Sequence, residues 1–194
     1  MNIGEIMSNK ENYSVLENNV RHTFMSVVWS HKIQEKQADI LTRRYKNLEI
    51  LRITCSALTS AGLISLIFTE QFLIKIVATI ISFISTSISM FFQSFEIQKS
   101  ITNHKNSATE LLIIRNKLQL LLVEIKLRNK SEIEIVELYR QLVDKLADVY
   151  KTAPNTTDKA VKFAANALNV SKDNEFSDDE IDINLPDSLR RNAL

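Results

Sequence analysis

Residues 53–95 read ITCSALTSAGLISLIFTEQFLIKIVATIISFISTSISMFFQSF, and only Glu70 and Lys75 among them carry charge. The stretch divides into two runs. Ile53 to Thr69 holds 17 uncharged residues, and Ile76 to Phe95 holds 20 with a single Gln. A bilayer core of roughly 30 Å takes about 20 helical residues, and about 17 is the short end of that range. The competing reading is a buried helical hairpin inside a soluble bundle. A soluble helix keeps charges along one face at a period of about 3.6 residues, and neither run has a charge on any face. The pattern predicts a transmembrane hairpin, 53–69 and 73–95, with its tip at 70–72. Lys75 stands close to the tip, where a long side chain reaches the interface instead of sitting mid-membrane.

The flanks give the orientation. Lys32, Lys36, Arg43, Arg44, Lys46 and Arg52 precede the first run, and Lys99, Lys105, Arg115 and Lys117 follow the second, against Lys75 alone near the tip. Positive loops stay on the cytoplasmic side. In a plasma or bacterial inner membrane both termini are then cytoplasmic. The rest of the composition agrees with an all-α membrane protein whose long cytoplasmic helices form a small bundle. Two Gly and two Pro in 194 residues leave too few turn residues for a β-rich fold. A net charge of +1 does not mark a nucleic-acid binder, and direct nucleic-acid binding is not expected.

Outside the hairpin, residues 1–13 read as a flexible N-terminus and 14–52 as a cytoplasmic helix leading into the membrane. Its stripe runs through Val20, Phe24, Val27, His31, Gln34, Ala38, Leu41, Tyr45 and Leu48 at 3/4 spacing. Trp29 lies too far from the membrane for an interfacial belt and suits a core or subunit contact. Residues 96–154 continue as cytoplasmic helix. Leu111, Ile114, Leu118, Leu121 and Ile125 form one stripe; Ile135, Leu138, Leu142, Leu146 and Val149 form a second. Ser131 and Glu134 are spaced as a capping box at the start of the second, and Pro154 ends it. In 155–194, Thr157 caps a short helix and an acidic flexible tail follows. Seven acids lie between Asp173 and Asp187. Phe176, Ile181, Ile183 and Leu185 are candidate anchors if this tail docks on a partner.

Within the hairpin, Ala57, Ala61 and Ser65 recur every fourth residue, with Gly62 beside them. Such small-residue ladders let helices approach closely. In the second run Ala78, Ser82, Ser85, Ser89 and Gln93 share a stripe, with Thr86 adjacent. The stripe suits helix packing first and, in an oligomer, a water-facing wall. Two helices enclose no lumen, so any pore needs several copies. No ionisable group sits mid-membrane, which argues against a proton relay or coupled transporter. Catalytic and cofactor motifs are absent from the sequence, Cys55 is a lone apolar-run cysteine, and no enzyme, metal or cofactor is expected. His31 and Glu35, four apart, suit a surface hydrogen bond better than a metal.

The Trp29-to-Lys36 stretch, the Arg43-Arg44 pair and the ALTSAGL start of the first apolar run resemble the SLATT superfamily, most closely the group five type, over about residues 14–150. The resemblance implies a two-helix membrane effector of bacterial conflict systems. Such an effector oligomerises into a pore, or otherwise breaches the inner membrane, when a partner sensor fires. The partner would be a nucleotide second-messenger synthase or a reverse-transcriptase system. Two alternatives stand beside it: a membrane anchor or scaffold without a pore, and a holin-like lysis protein.

Overall fold

The computed structural model describes residues 3–68, 71–173, 175–186 and 190, with side chains described in 13–62, 64, 71–92, 96–173, 175–186 and 190. Among these every regular element is a helix. They are α1 (Ile3–Phe68), α2 (Phe72–Phe95), α3 (Ile97–Leu127), α4 (Glu132–Thr152), α5 (Asp158–Asn169) and α6 (Asp178–Asn184).

The backbone of the architecture is α1, a single helix of 66 residues, roughly 100 Å at about 1.5 Å per residue. It starts at Ile3, within the segment expected to be flexible, and runs unbroken from the stem into the first apolar run. α2 returns antiparallel along its far end. The pairing descends in register from Gly62 near Ala78 to the Ser56–Ser85 hydrogen bond and the Tyr45–Phe92 ring contact. Of the tip expected at 70–72, Glu70 lies outside the described residues, as does Thr69 before it; Gln71 is the exposed residue preceding α2, and Phe72 already begins that helix.

Beyond Phe95 the chain was expected to continue as helix. Instead Glu96 adopts the left-handed conformation, φ 41° and ψ 43°. A left-handed L-residue cannot propagate a right-handed helix. The apolar phase therefore resets at Ile97, and α3 packs along the stem part of α1. Arg128 and Lys172 also have positive φ, whereas no described Gly does. The sequence has only two Gly, so these three turns are made by long polar residues.

The stem core is the expected one. Val20 and Val27 of α1 meet Leu111, Ile114, Leu118, Leu121 and Ile125 of α3. Ile135, Leu142, Leu146 and Val149 of α4 complete the cluster. Each such side chain contributes about 1.5–3 kcal/mol on burial. Leu138 departs from its stripe. It is 37% exposed and faces a surface groove instead of the core. α4 starts at the expected capping box, in which the Ser131 hydroxyl accepts from the Glu134 N–H and the Glu134 carboxylate accepts from the Ser131 N–H at 2.8 Å. The Ser131 hydroxyl also donates to the Glu134 carboxylate at 2.7 Å, and this bond first, then the one from the Ser131 N–H, holds the Glu134 carboxyl below its ordinary range. α4 ends at Thr152, just before Pro154, and Thr157 caps α5.

The acidic segment is not featureless. Ser177 and Glu180 form a second capping box that starts α6. No α6 residue is buried, and Asp187 lies outside the described residues.

Candidate functional site: an apolar hairpin on a polar joint

α2 is apolar and uncovered. Phe72, Leu73, Phe83 and Met90 are strongly exposed, as are Ile53, Leu58 and Ile64 on the facing part of α1. Only 6% of the most apolar 18-residue window, in the stretch beginning at Phe72, is buried. That stretch is the one described helix long and apolar enough to cross a membrane. A soluble bundle buries such a surface, because leaving it in water forgoes about 25 cal/mol per Å².

The small-residue positions divide by face. Gly62 sits at the close approach: a Cβ placed there would lie 3.3 Å from the Ala78 Cβ. Ala78 is buried, while Ala57 and Ala61 are exposed. The ladder is therefore not the seam; its neighbour Gly62 is. Ser65 and Gln93 fall within helices, but their side chains are outside those described. Ser82, Ser85 and Ser89 are half-buried along α2. The Ser85 hydroxyl bonds the Ser56 hydroxyl across the hairpin at 2.9 Å.

Beside the seam runs a groove of about 480 Å³, lined by Thr59, Ala78, Thr79, Ser82, Phe83 and Thr86, with Lys75 at the tip end. Sequence reasoning placed Ser82 and Thr86 on this face but missed Thr59 and Thr79. Helical spacing from Thr86 reaches Thr79, seven residues back, so the signal was present. Thr59, Thr79 and Thr86 each donate to the carbonyl four residues earlier. With that donor satisfied, a threonine faces lipid or water at little cost.

At the base of the hairpin Tyr45 packs on Phe92, with ring centroids 5.0 Å apart, and the Arg52 guanidinium lies 5.8 Å from the same ring. Gln98 donates to the Tyr45 hydroxyl. This aromatic and cationic collar sits where the apolar surface ends.

Below the collar is a polar joint inside the stem. His31, Lys32, Gln34, Gln37, His104 and Ser107 are all buried. His104 Nδ1 donates to Gln34 Oε1, and Gln34 Nε2 donates to the Pro154 carbonyl at 3.1 Å. Gln37 Oε1 accepts from both the Thr157 N–H and its hydroxyl, at 3.0 and 2.7 Å. Lys32 Nζ pairs with Glu35 at 3.0 Å, and Lys36 Nζ with Asp173 at 3.4 Å. The joint thus ties α1, α3 and the α4–α5 connection together. Burial holds both imidazoles below their ordinary pKa; for His31, nearby Glu35 opposes this while Arg115 and Lys32 add to it. His31 Nδ1 is buried without a hydrogen-bond partner. Its Nε2 stands 3.9 Å from Glu35. Among the described residues no group of three or more His, Cys, Asp or Glu could hold a metal ion.

No curated protein and no solved structure matches the chain. One family model does, over residues 16–180, which is most of the sequence. It describes SMODS and SLOG-associating 2TM effector domains of family 4. The superfamily inferred from the Trp29–Lys36 and ALTSAGL stretches is thereby established, whereas the group five type finds no support in it. An uncovered apolar hairpin on a helical stem is what a two-transmembrane effector domain requires, and the chain belongs to the SMODS and SLOG-associating 2TM effector domain family 4 of the SLATT superfamily.

Proposed function

We propose that this chain is the membrane-breaching effector of a bacterial anti-phage or conflict system. It resides in the inner membrane with both termini in the cytoplasm. A signal-producing partner acts on the stem, copies assemble through their hairpins, and the assembly opens a pore or disrupts the bilayer, leading to abortive infection. The observation that carries the reading is the apolar surface of α2 left uncovered, beside a stem whose α1–α3–α4 core is buried. The family name supports a partner from SMODS- or SLOG-linked systems. A reverse-transcriptase partner rested on the group five type and loses that basis.

In an assembled ring the groove of Thr59, Thr79, Ser82 and Thr86 is the surface best suited to water. A partner must favour the open assembly over the resting state by a few kcal/mol, since moving an equilibrium from about 1:99 to 99:1 takes about 5.5. Two measurements test the reading. Membrane fractionation with alkaline extraction should keep the chain in the pellet. Triggering the system should collapse the membrane potential; cells that die with an intact potential exclude a pore.

The non-pore anchor has one observation in its favour. The groove threonines already satisfy their donors within their own helices, so they do not need water. Thr79→Val with Ser82→Ala and Thr86→Val removes the hydroxyls at nearly constant volume. An anchor keeps its activity with these changes, whereas a pore loses conductance while still inserting.

A further inference from the structure

The α3–α4 face of the stem carries a groove of about 410 Å³. Its floor is leucine: Leu120 and Leu121 of α3, Leu138 and Leu142 of α4. Leu120 is 61% exposed, although nothing about a free-standing stem requires a leucine there. Three lysines stand on its rim, Lys117, Lys130 and Lys145, against one acid, Glu124. Lys117 and Lys145 are exposed and form no ion pair with any described residue. The groove therefore asks for an apolar ligand that brings negative charge.

The same chain contains such a segment. α6 carries Asp178, Asp179, Glu180 and Asp182. Phe176 precedes the N-cap Ser177, and Ile181 is the fourth helical residue. Those are the two positions that a hydrophobic staple uses at a helix start, and Leu185 stands four residues after Ile181, at the C-cap. Phe176 is 71% exposed and Ile181 43%. A seven-residue helix is marginal in water even with good caps. Here the sequence supplies a full capping box to a helix that buries nothing.

We propose that α6 docks in the α3–α4 groove of a second copy of this chain. Phe176, Ile181 and Leu185 would lie over the leucine floor, and the aspartates would face Lys117 and Lys145. Within one chain α6 does not pack along α3 or α4, whereas α5, which precedes it, packs on α1. The contact is small, well under the ~1,000 Å² of a self-sufficient interface. It acts through effective concentration, once hairpins share a bilayer. The proposal rests on the reading of the chain as an assembling membrane effector, and gives that assembly a cytoplasmic clasp.

The test uses the full chain in native membranes, carrying two different affinity tags on co-expressed copies. A benzophenone amino acid replaces Phe176, and irradiated products are mapped by mass spectrometry. The expected result is a cross-link between differently tagged copies, ending on α3 or α4 near Leu120 or Leu138. Lys117→Glu with Lys145→Glu should reduce its yield about tenfold, as two attractive contacts become repulsive. Adding Asp178→Lys and Asp179→Lys should restore it. Unchanged far-UV circular dichroism establishes that the variants fold. Cross-links confined to one chain, or ending elsewhere, or indifferent to the charge reversal, overturn the proposal. Assembly measured independently, by hairpin cross-linking through Phe83, separates the two levels. If copies assemble without tail capture only the clasp fails; if no assembly occurs the membrane-effector reading fails with it.

Discussion

Replacing Gly62 tests whether the hairpin is held by close approach of its helices. A Cβ at Gly62 lies 3.3 Å from the Ala78 Cβ, a few tenths of an ångström inside ordinary contact. Gly62→Ala therefore sets two small effects against each other. It gains up to about 1 kcal/mol of helix propensity and loses a comparable amount as the neighbours give way, so it should be close to neutral. Gly62→Leu is different. Its further carbons have to enter space already closed by Ala78, and overpacking of this kind costs about 1–3 kcal/mol. After the propensity gain the net loss should be about 1–2 kcal/mol. The Ser56–Ser85 hydrogen bond lies roughly 10 Å along the helices from this point, near enough to be opened by the separation. Ala78→Gly returns the room of one methyl group, so the pair should couple by at least about 0.5 kcal/mol. The assay is unfolding in mild micelles followed by far-UV circular dichroism, on the parent, both single variants and the double. Parent-like stability of Gly62→Leu, or strict additivity in the cycle, would refute close packing at this point.

Three further outcomes are expected. Ser131→Ala removes the cap of α4 and should cost about 1 kcal/mol in denaturant titration of the stem. The same variant should lose part of an acid-side dependence, since it removes the hydroxyl's bond to the Glu134 carboxylate and keeps that of the Ser131 N–H. The bonded Glu134 carboxyl has its pKa lowered from 4.5, so its stabilisation is complete above that value and fades as pH falls through the lower folded value. His31 and His104 act in the same direction through a different window. Their folded pKa values lie below 6.5, so the unfolded chain takes up protons first as pH drops below 6.5, and stability falls with pH there. A melting temperature compared at neutral and mildly acidic pH reads this, and the slope should shrink in His104→Leu. Gln37→Ala strips the Thr157 N–H and hydroxyl of their acceptor, and should cost about 1–3 kcal/mol. It should also raise hydrogen exchange at the start of α5 before the rest of the stem.

Much of this architecture was legible because it is written in periodicities. The stripe from Val20 to Leu48, the α3 leucines and the Ser131–Glu134 spacing are local signals, and local rules govern them. Charge-free runs likewise marked the hairpin. What stayed hidden depends on long-range placement. Gln34 stood out only as a polar interruption of a stripe, and Gln37 not at all; their partners, Pro154 and Thr157, lie 120 residues away. Asp173 looked like one tail acid among seven until its place beside Lys32 and Lys36 was visible. The left-handed Glu96 gave no signal either, because nothing in the residue type favours that conformation. The Ser177–Glu180 spacing was readable and was passed over, since an acidic stretch without an apolar stripe reads as solvated tail.

That α1 is one helix from Ile3 to Phe68 has a mechanical meaning. A continuous hydrogen-bonded helix resists torsion, so a turn of its stem segment is carried along the same backbone to its apolar end. If the stem segment turns about its axis by about 20°, close to the drift of one heptad in a straight helix, the wall that Gly62 presents to α2 turns with it. α2 is not part of the same shaft, because the left-handed Glu96 interrupts the helix between it and α3. A turn applied near His31 would reach Gly62, roughly 45 Å away along the helix, through one unbroken hydrogen-bonded backbone.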